Sequence, residues 1–94
     1  MYIRTYTDNY GKVVIISDKD LFGKKFEQDD MVIEINEFFK GDEIDDINIK
    51  DLEDAYLLYA VGENTINRLK DINIIKEEDI KKIKNIPYTF LMFL

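Results

Sequence analysis

The sequence predicts an α+β fold: one small domain built on a mixed β-sheet of about five to six strands, with an N-terminal β-hairpin and short helices. Three stretches carry that prediction. Tyr2–Ser17 alternates apolar and polar residues around a turn, as a hairpin does. Tyr56–Val61 is an all-apolar run that ends at Gly62 and is followed by an amphipathic segment. Tyr88–Leu94 closes the chain with a buried-type apolar run after Pro87. With 94 residues, 46% of them hydrophobic and 13% aromatic, the chain is expected to form one core and no second domain.

The hairpin comes first. Tyr2–Thr7 is rich in β-branched and aromatic residues, Asp8–Gly11 is rich in turn formers, and Lys12–Ser17 contains the run Val13–Ile16. This reads as two strands with a four-residue connection. Because the second strand is apolar on both faces, it belongs inside the sheet with both sides covered. Asp18 is placed to accept from the free amides of a short turn that Gly23 ends, with Leu21 and Phe22 inward. Phe26 begins an extended piece, Gln28–Asp30 is a polar turn, and Met31–Ile35 reads as another strand. Asn36–Lys40 carries Phe38 and Phe39 before Gly41 breaks the segment.

Charge is unevenly distributed. The net charge is −7, yet Glu27–Asp54 holds twelve acidic residues against Lys40 and Lys50, a local balance of −10 that leaves the remainder at +3. Arg4, Lys24, Lys25, Arg68, Lys81, Lys82 and Lys84 are thereby free to form a separate basic surface, although ordinary solvated surface is the expected state of both charge sets. The acidic stretch itself reads as loop, pegged by Ile44, Ile47 and Ile49, until Asp51 caps a short helix running to about Ala55. No calcium loop is expected there, because Ile47 stands where a frame starting at Asp42 needs glycine.

Tyr56–Val61 has the length and bulk of a buried strand, so strand, Gly62 turn and helix is the expected order, the helix starting near Glu63 with Ile66 and Leu69 inward. Such a turn aims free amides and the positive end of the helix dipole outward, where anions bind. Glu63 is expected to oppose that use by capping its own helix. At the far end, Glu77–Asp79 favours a helix start, whereas Ile80–Ile86 is open to either a helical or an extended reading. Pro87 holds its predecessor extended.

Several chemistries are excluded. The chain has neither cysteine nor histidine, which removes disulfides, thiolate nucleophiles, Cys/His zinc sites and imidazole acid-base catalysis. "LFGKK" lacks the first glycine and the Ser or Thr of a phosphate-binding loop. Neighbouring carboxylates such as Asp45 with Asp46 come with no cleft to drive their pKa values apart. The N-terminus lacks the marks of a secretory signal and no apolar run approaches the ~20 residues that span a bilayer, so a cytoplasmic chain without membrane attachment is expected.

Three phrases in order, "DLFGKKF" after the hairpin, "AVGENTI", and "IPYTFLMFL", resemble the archaeal domain of unknown function 424 family across essentially the whole chain. The resemblance matches Gly23, Lys24, Lys25 and Phe26, then Val61, Gly62 and Glu63, then Pro87. The chain departs from the family's pattern at Tyr59, where that pattern has Asn, and at Tyr88, Thr89 and Phe90, where it has His-Ala-Gln. The resemblance implies that Ile80–Ile86 is extended and that the setting is archaeal and cytoplasmic. It implies no reaction.

The expected function is a noncatalytic binding or accessory module, associated with a protein partner or with RNA and translation machinery, leaning away from catalysis. Binding of free nucleic acid is expected to be weak or absent, and neither cofactor nor metal is expected. The competing expectation is an enzyme or small-ligand binder with an anion site at the Gly62 turn, for which Lys24, Lys25, Gly62, Glu63, Asn64, Thr65 and Tyr88 are the candidate residues. A third is a homodimer that uses Tyr88–Leu94 as its edge.

Overall fold

Strands β1 (Tyr2–Asp8) and β2 (Gly11–Ser17) pair antiparallel from Tyr2 with Ser17 to Asp8 with Gly11. The computed structural model to which these elements belong describes residues 1–93. The connection is two residues, Asn9 and Tyr10, rather than the expected four. Asp8 and Gly11 are themselves paired, because the Asp8 carboxylate accepts from the amides of Tyr10 (2.8 Å) and Gly11 (3.2 Å) and holds the turn closed.

Beside β2 lies β6 (Ala55–Val61), parallel to it, and β8 (Ile86–Met92) follows antiparallel. With β5 (Asp42–Glu43) on β1 and β7 (Lys81–Ile83) on β8, the mixed sheet has six strands in the order β5-β1-β2-β6-β8-β7. A separate two-stranded ribbon, β3 (Lys25–Gln28) with β4 (Met31–Glu34), turns at Asp29 and Asp30 and packs on the sheet.

The central position of β2 follows from its sequence. Val14 and Ile16 face one core with Leu58, Ala60 and the inward side of helix α1 (Glu63–Asp71), where Ile66 and Leu69 are buried. Val13 and Ile15 face a second core with Ile33, Ile35, Phe39 and Leu21 from the ribbon and its flanks. Each face therefore removes apolar surface from water, at about 25 cal/mol per Å², and a strand apolar on both sides satisfies both layers.

The expectations near the acidic segment need correction. A 3-10 turn spans Ile49–Leu52, not 51–55, and Asn48 caps it by accepting from the Lys50 amide at 3.0 Å. Ala55 is already in β6, and Asp51 instead donates its own amide to the Asn48 carbonyl. Ile47 is buried and Ile44 packs against the core, but Ile49 is 58% exposed and pegs nothing. Residues 81–83 are extended after a 3-10 turn at Glu77–Asp79, and Lys84 and Asn85, both at positive φ, form the two-residue hairpin turn into β8. The last residue of the expected closing strand, Leu94, lies outside the described residues.

Candidate binding site

The Gly62 turn is where a ligand site was expected. Because β2 and β6 are parallel neighbours with Ser17 opposite Val61, the residues that follow them, Asp18 and Gly62, emerge side by side at the carboxyl ends of the strands. The Asp18 carboxylate accepts from the amides of Asn64 (3.0 Å) and Thr65 (2.8 Å) and from the Thr65 hydroxyl (2.7 Å). Asp18 and Thr65 are both buried. Gly62 has φ 115°, and a Cβ there would lie 2.3 Å from Asp18 Cγ. Glycine is thus required twice, for its backbone conformation and for the carboxylate's approach.

Two expectations are corrected by this geometry. Asp18 does not cap its own turn, the 3-10 turn Lys19–Leu21, which has no side-chain cap. Glu63 does not cap α1: its side chain is exposed, and the carboxylate at the helix start belongs to a residue 46 positions away from Asn64. The physical cause is non-local. Only strand pairing brings Asp18 to the helix, where it meets unpaired amides and the positive end of the dipole.

The other candidate residues are dispersed. Lys24 and Lys25 are exposed at the start of the ribbon, and Lys25 pairs with Glu27 at 3.2 Å. Among the described residues no hydrogen bond or ion pair joins either lysine to residues 62–65. Tyr88 is buried in β8 opposite Val61, and its hydroxyl donates to Met31 Sδ at 3.2 Å, tying the ribbon to the sheet. The hollow beside Asn64, about 440 Å³, is lined by Met1, Asp18, Lys19 and Asp20, and Lys19 is already bonded to Glu43 at 2.7 Å. The proposed basic surface is likewise drawn into the fold in part. Arg68 pairs with Asp46 at 2.6 Å, and Arg4 lies 5.2 Å over the Phe38 ring while donating to the Phe38 carbonyl.

A second concavity takes Phe90 and Met92 from the expected Tyr88–Leu94 edge and adds Tyr10, Tyr56 and Leu57, which the sequence did not single out. The ribbon covers one end of its sheet face and leaves the other open. There Tyr10, Tyr56, Leu57, Phe90 and Met92 line a groove of about 400 Å³. Tyr10 is 83% exposed, Phe90 60% and Met92 56%. Alternation along the paired strands puts Leu57 beside Met92 and Tyr59 beside Phe90. Behind the groove runs an edge-to-face stack, Phe39 to Tyr59 (5.2 Å) and Tyr59 to Phe90 (5.4 Å). Contacts of this kind are worth about 0.5–1.5 kcal/mol beyond area burial. Tyr59 and Phe90, two positions at which the chain departs from the family pattern it resembles, are therefore a cross-strand packing pair.

The groove wall at Tyr56 has a specific construction. The ladder shifts at this point, Lys12 pairing with Ala55 but Val13 with Leu57, so Tyr56 is the extra residue of a bulge. Its ring crosses Gly11, where a Cβ would lie 3.2 Å from Tyr56 Cδ1, and its hydroxyl donates to the Asp8 carboxylate. That bond pushes the Tyr56 phenol up to about 12, and it holds the Asp8 carboxyl below the usual range together with the amides of Tyr10 and Gly11. Burial raises the Tyr59 phenol as well. Two carboxylates, Glu53 and Asp54, lead into this strand, and Lys12 donates to the Glu53 carbonyl at 3.0 Å.

Among the described residues no three acidic side chains converge as metal ligands do, and no helix is long and apolar enough to cross a membrane. Comparison with known proteins adds the following. The model of the family described as "Protein of unknown function (DUF424)" matches residues 5–94. Among solved structures, the chain is similar to the "Crystal structure of an uncharacterized conserved protein from Methanopyrus kandleri", with a TM-score of 0.76 at 17% identity over 96% of this chain and 88% of that one. At that identity the likeness carries the fold alone. No curated protein sequence matches the chain.

Proposed function

This chain belongs to the DUF424 family, and we propose that it works as a noncatalytic binding module that docks a protein partner on the open half of its sheet. One observation carries this reading: the exposed groove of Tyr10, Tyr56, Leu57, Phe90 and Met92. Tyr10 and Phe90 alone, each more than half exposed and of a class that carries about 150–250 Å² apiece, contribute on the order of 200–300 Å². That approaches the largest apolar patch of a typical monomer, about 300–600 Å² and often functional.

Charge favours protein over RNA as the partner. The Asp8 carboxylate stands at the groove wall and the chain carries a net charge of −7, so a phosphate backbone would be repelled. The alternative, an anionic ligand at Gly62, has less support, because Asp18 already takes the amides of Asn64 and Thr65. The test is recovery of partners from a lysate of the source organism by the wild type, by F90S/M92S and by K24A/K25A. Loss of a protein with F90S/M92S but not with K24A/K25A is expected. The reverse pattern would overturn the assignment.

A further inference from the structure

We propose that the occupant of the groove is a protein segment in which a large apolar side chain is flanked by lysine or arginine. This rests on the binding-module reading and names the chemistry of the partner. The groove's walls are three aromatic rings, a leucine and a methionine, and its volume of about 400 Å³ has room for one or two apolar side chains.

Its surroundings select by charge. Asp8, Glu53 and Asp54 are exposed, and none joins an ion pair among the described residues. Asp8 is held at the groove wall by the Tyr56 hydroxyl, and Glu53 and Asp54 directly precede the strand that carries Tyr56. The nearby cation, Lys12, donates to a main-chain carbonyl instead. The carboxylate of Asp8 at the wall, the acidic pair that leads into β6 and a net charge of −7 favour a basic flank on the partner. A second copy of the chain would bring the same Asp8 and a net charge of −7 to its own, so like charge opposes self-pairing at this place.

The main chain beside the groove is open to the same segment. β7 pairs with β8 only from Ile83–Ile86 to Lys81–Tyr88. Beyond Tyr88 no described strand pairs the outer side of β8, where Phe90 and Met92 lie. An extended segment can add main-chain hydrogen bonds there while its alternate side chains reach the groove.

The experiment uses the full chain and a labelled nine-residue peptide with a central phenylalanine, leucines two positions to either side, and lysines at the remaining positions. A matched peptide replaces every lysine by glutamate. Fluorescence anisotropy is expected to show binding of the lysine peptide, at least tenfold weaker binding of the glutamate peptide, and about fivefold weaker binding of the lysine peptide by E53Q/D54N. F90S/M92S, and separately Y10S at an 83% exposed position, are expected to lose it more than tenfold while urea unfolding confirms that they fold.

Equal binding of the two peptides, or no effect of E53Q/D54N, overturns the proposed partner chemistry but leaves the groove standing if F90S/M92S still abolishes binding. Insensitivity to F90S/M92S and Y10S overturns the groove reading itself. Tighter binding of an oligouridylate than of the lysine peptide, or a concentration-dependent dimer abolished by F90S/M92S, overturns the proposal in favour of nucleic acid or a second copy.

Discussion

Replacing Asp18 by alanine tests most sharply how the carboxyl ends of β2 and β6 are held. The substitution removes a buried acceptor of three hydrogen bonds, from Asn64 N, Thr65 N and Thr65 Oγ1. Thr65 is fully buried, so its amide and hydroxyl are left without partners, at about 1–3 kcal/mol each. The Asn64 amide is half-buried and regains water in part. Relief of the carboxylate's own desolvation offsets some of this, and a net loss of about 3 kcal/mol is expected. For a chain of this size each kcal/mol moves Tm by about 4–8 °C, so Tm falls by roughly 12–24 °C. Asp18→Asn keeps one acceptor oxygen for Thr65 and costs less. Urea unfolding followed by far-UV circular dichroism reads these differences. The T65V change makes the reasoning falsifiable: in wild type it costs about 1 kcal/mol, whereas with D18A it is stabilising by about 1 kcal/mol, because it removes a buried hydroxyl that has lost its acceptor. Strict additivity of the two, or a D18A effect below about 0.5 kcal/mol, would refute it.

Gly62→Ala is expected to cost more than about 1 kcal/mol, since φ is 115° and the new Cβ meets Asp18 Cγ at 2.3 Å; the cost shrinks in the D18A background, measured by the same unfolding curves. Ultraviolet titration of the six tyrosines is expected to show one phenol ionising near 12, assigned to Tyr56 by its loss in Y56F and its return toward 10 in D8N. The sign follows from the folded state holding that proton more tightly: the bond's contribution is complete below about pH 10 and disappears as pH rises through about 12. For Asp8 the sense is opposite, its contribution disappearing as pH falls through its lowered folded-state pKa. In the acidic loop, Ile47→Ala is expected to cost about 2–5 kcal/mol and Ile49→Lys to stay within about 0.5 kcal/mol, since the first is 4% and the second 58% exposed.

What was legible in the sequence was local or periodic. Val13–Ile16 announced a strand covered on both faces, and it lies between β1 and β6 with every residue from Val13 to Ser17 buried. Val61-Gly62-Glu63 announced strand, turn and helix, and each falls in place. What was hidden depends on pairing between distant segments. Asp18 looked like a local cap because only the register of Ser17 opposite Val61 reveals that the helix start is beside it. The separation of the ribbon from the main sheet was equally unreadable, since Met31–Ile35 has the pattern of any half-buried strand. At Asn48 and Asp51 two good capping residues compete within one turn, and residue type alone does not rank them. The groove was half visible: the apolar ending is plain in the sequence, but its open side depends on the β7–β8 ladder ending at the Lys81–Tyr88 pair and on Tyr56 bulging across Gly11.

The central claim is that the Gly62 turn is closed by the protein's own carboxylate while contact with a partner occurs at the aromatic groove. Amide chemical shifts of the full chain, recorded during parallel titrations with the lysine peptide and with inorganic pyrophosphate, test both halves at once. The peptide is predicted to shift Tyr10, Tyr56, Leu57, Phe90 and Met92, and neither ligand is predicted to move Asn64 or Thr65. Saturable pyrophosphate shifts at Asn64 and Thr65, with the groove resonances unmoved by the peptide, would contradict it.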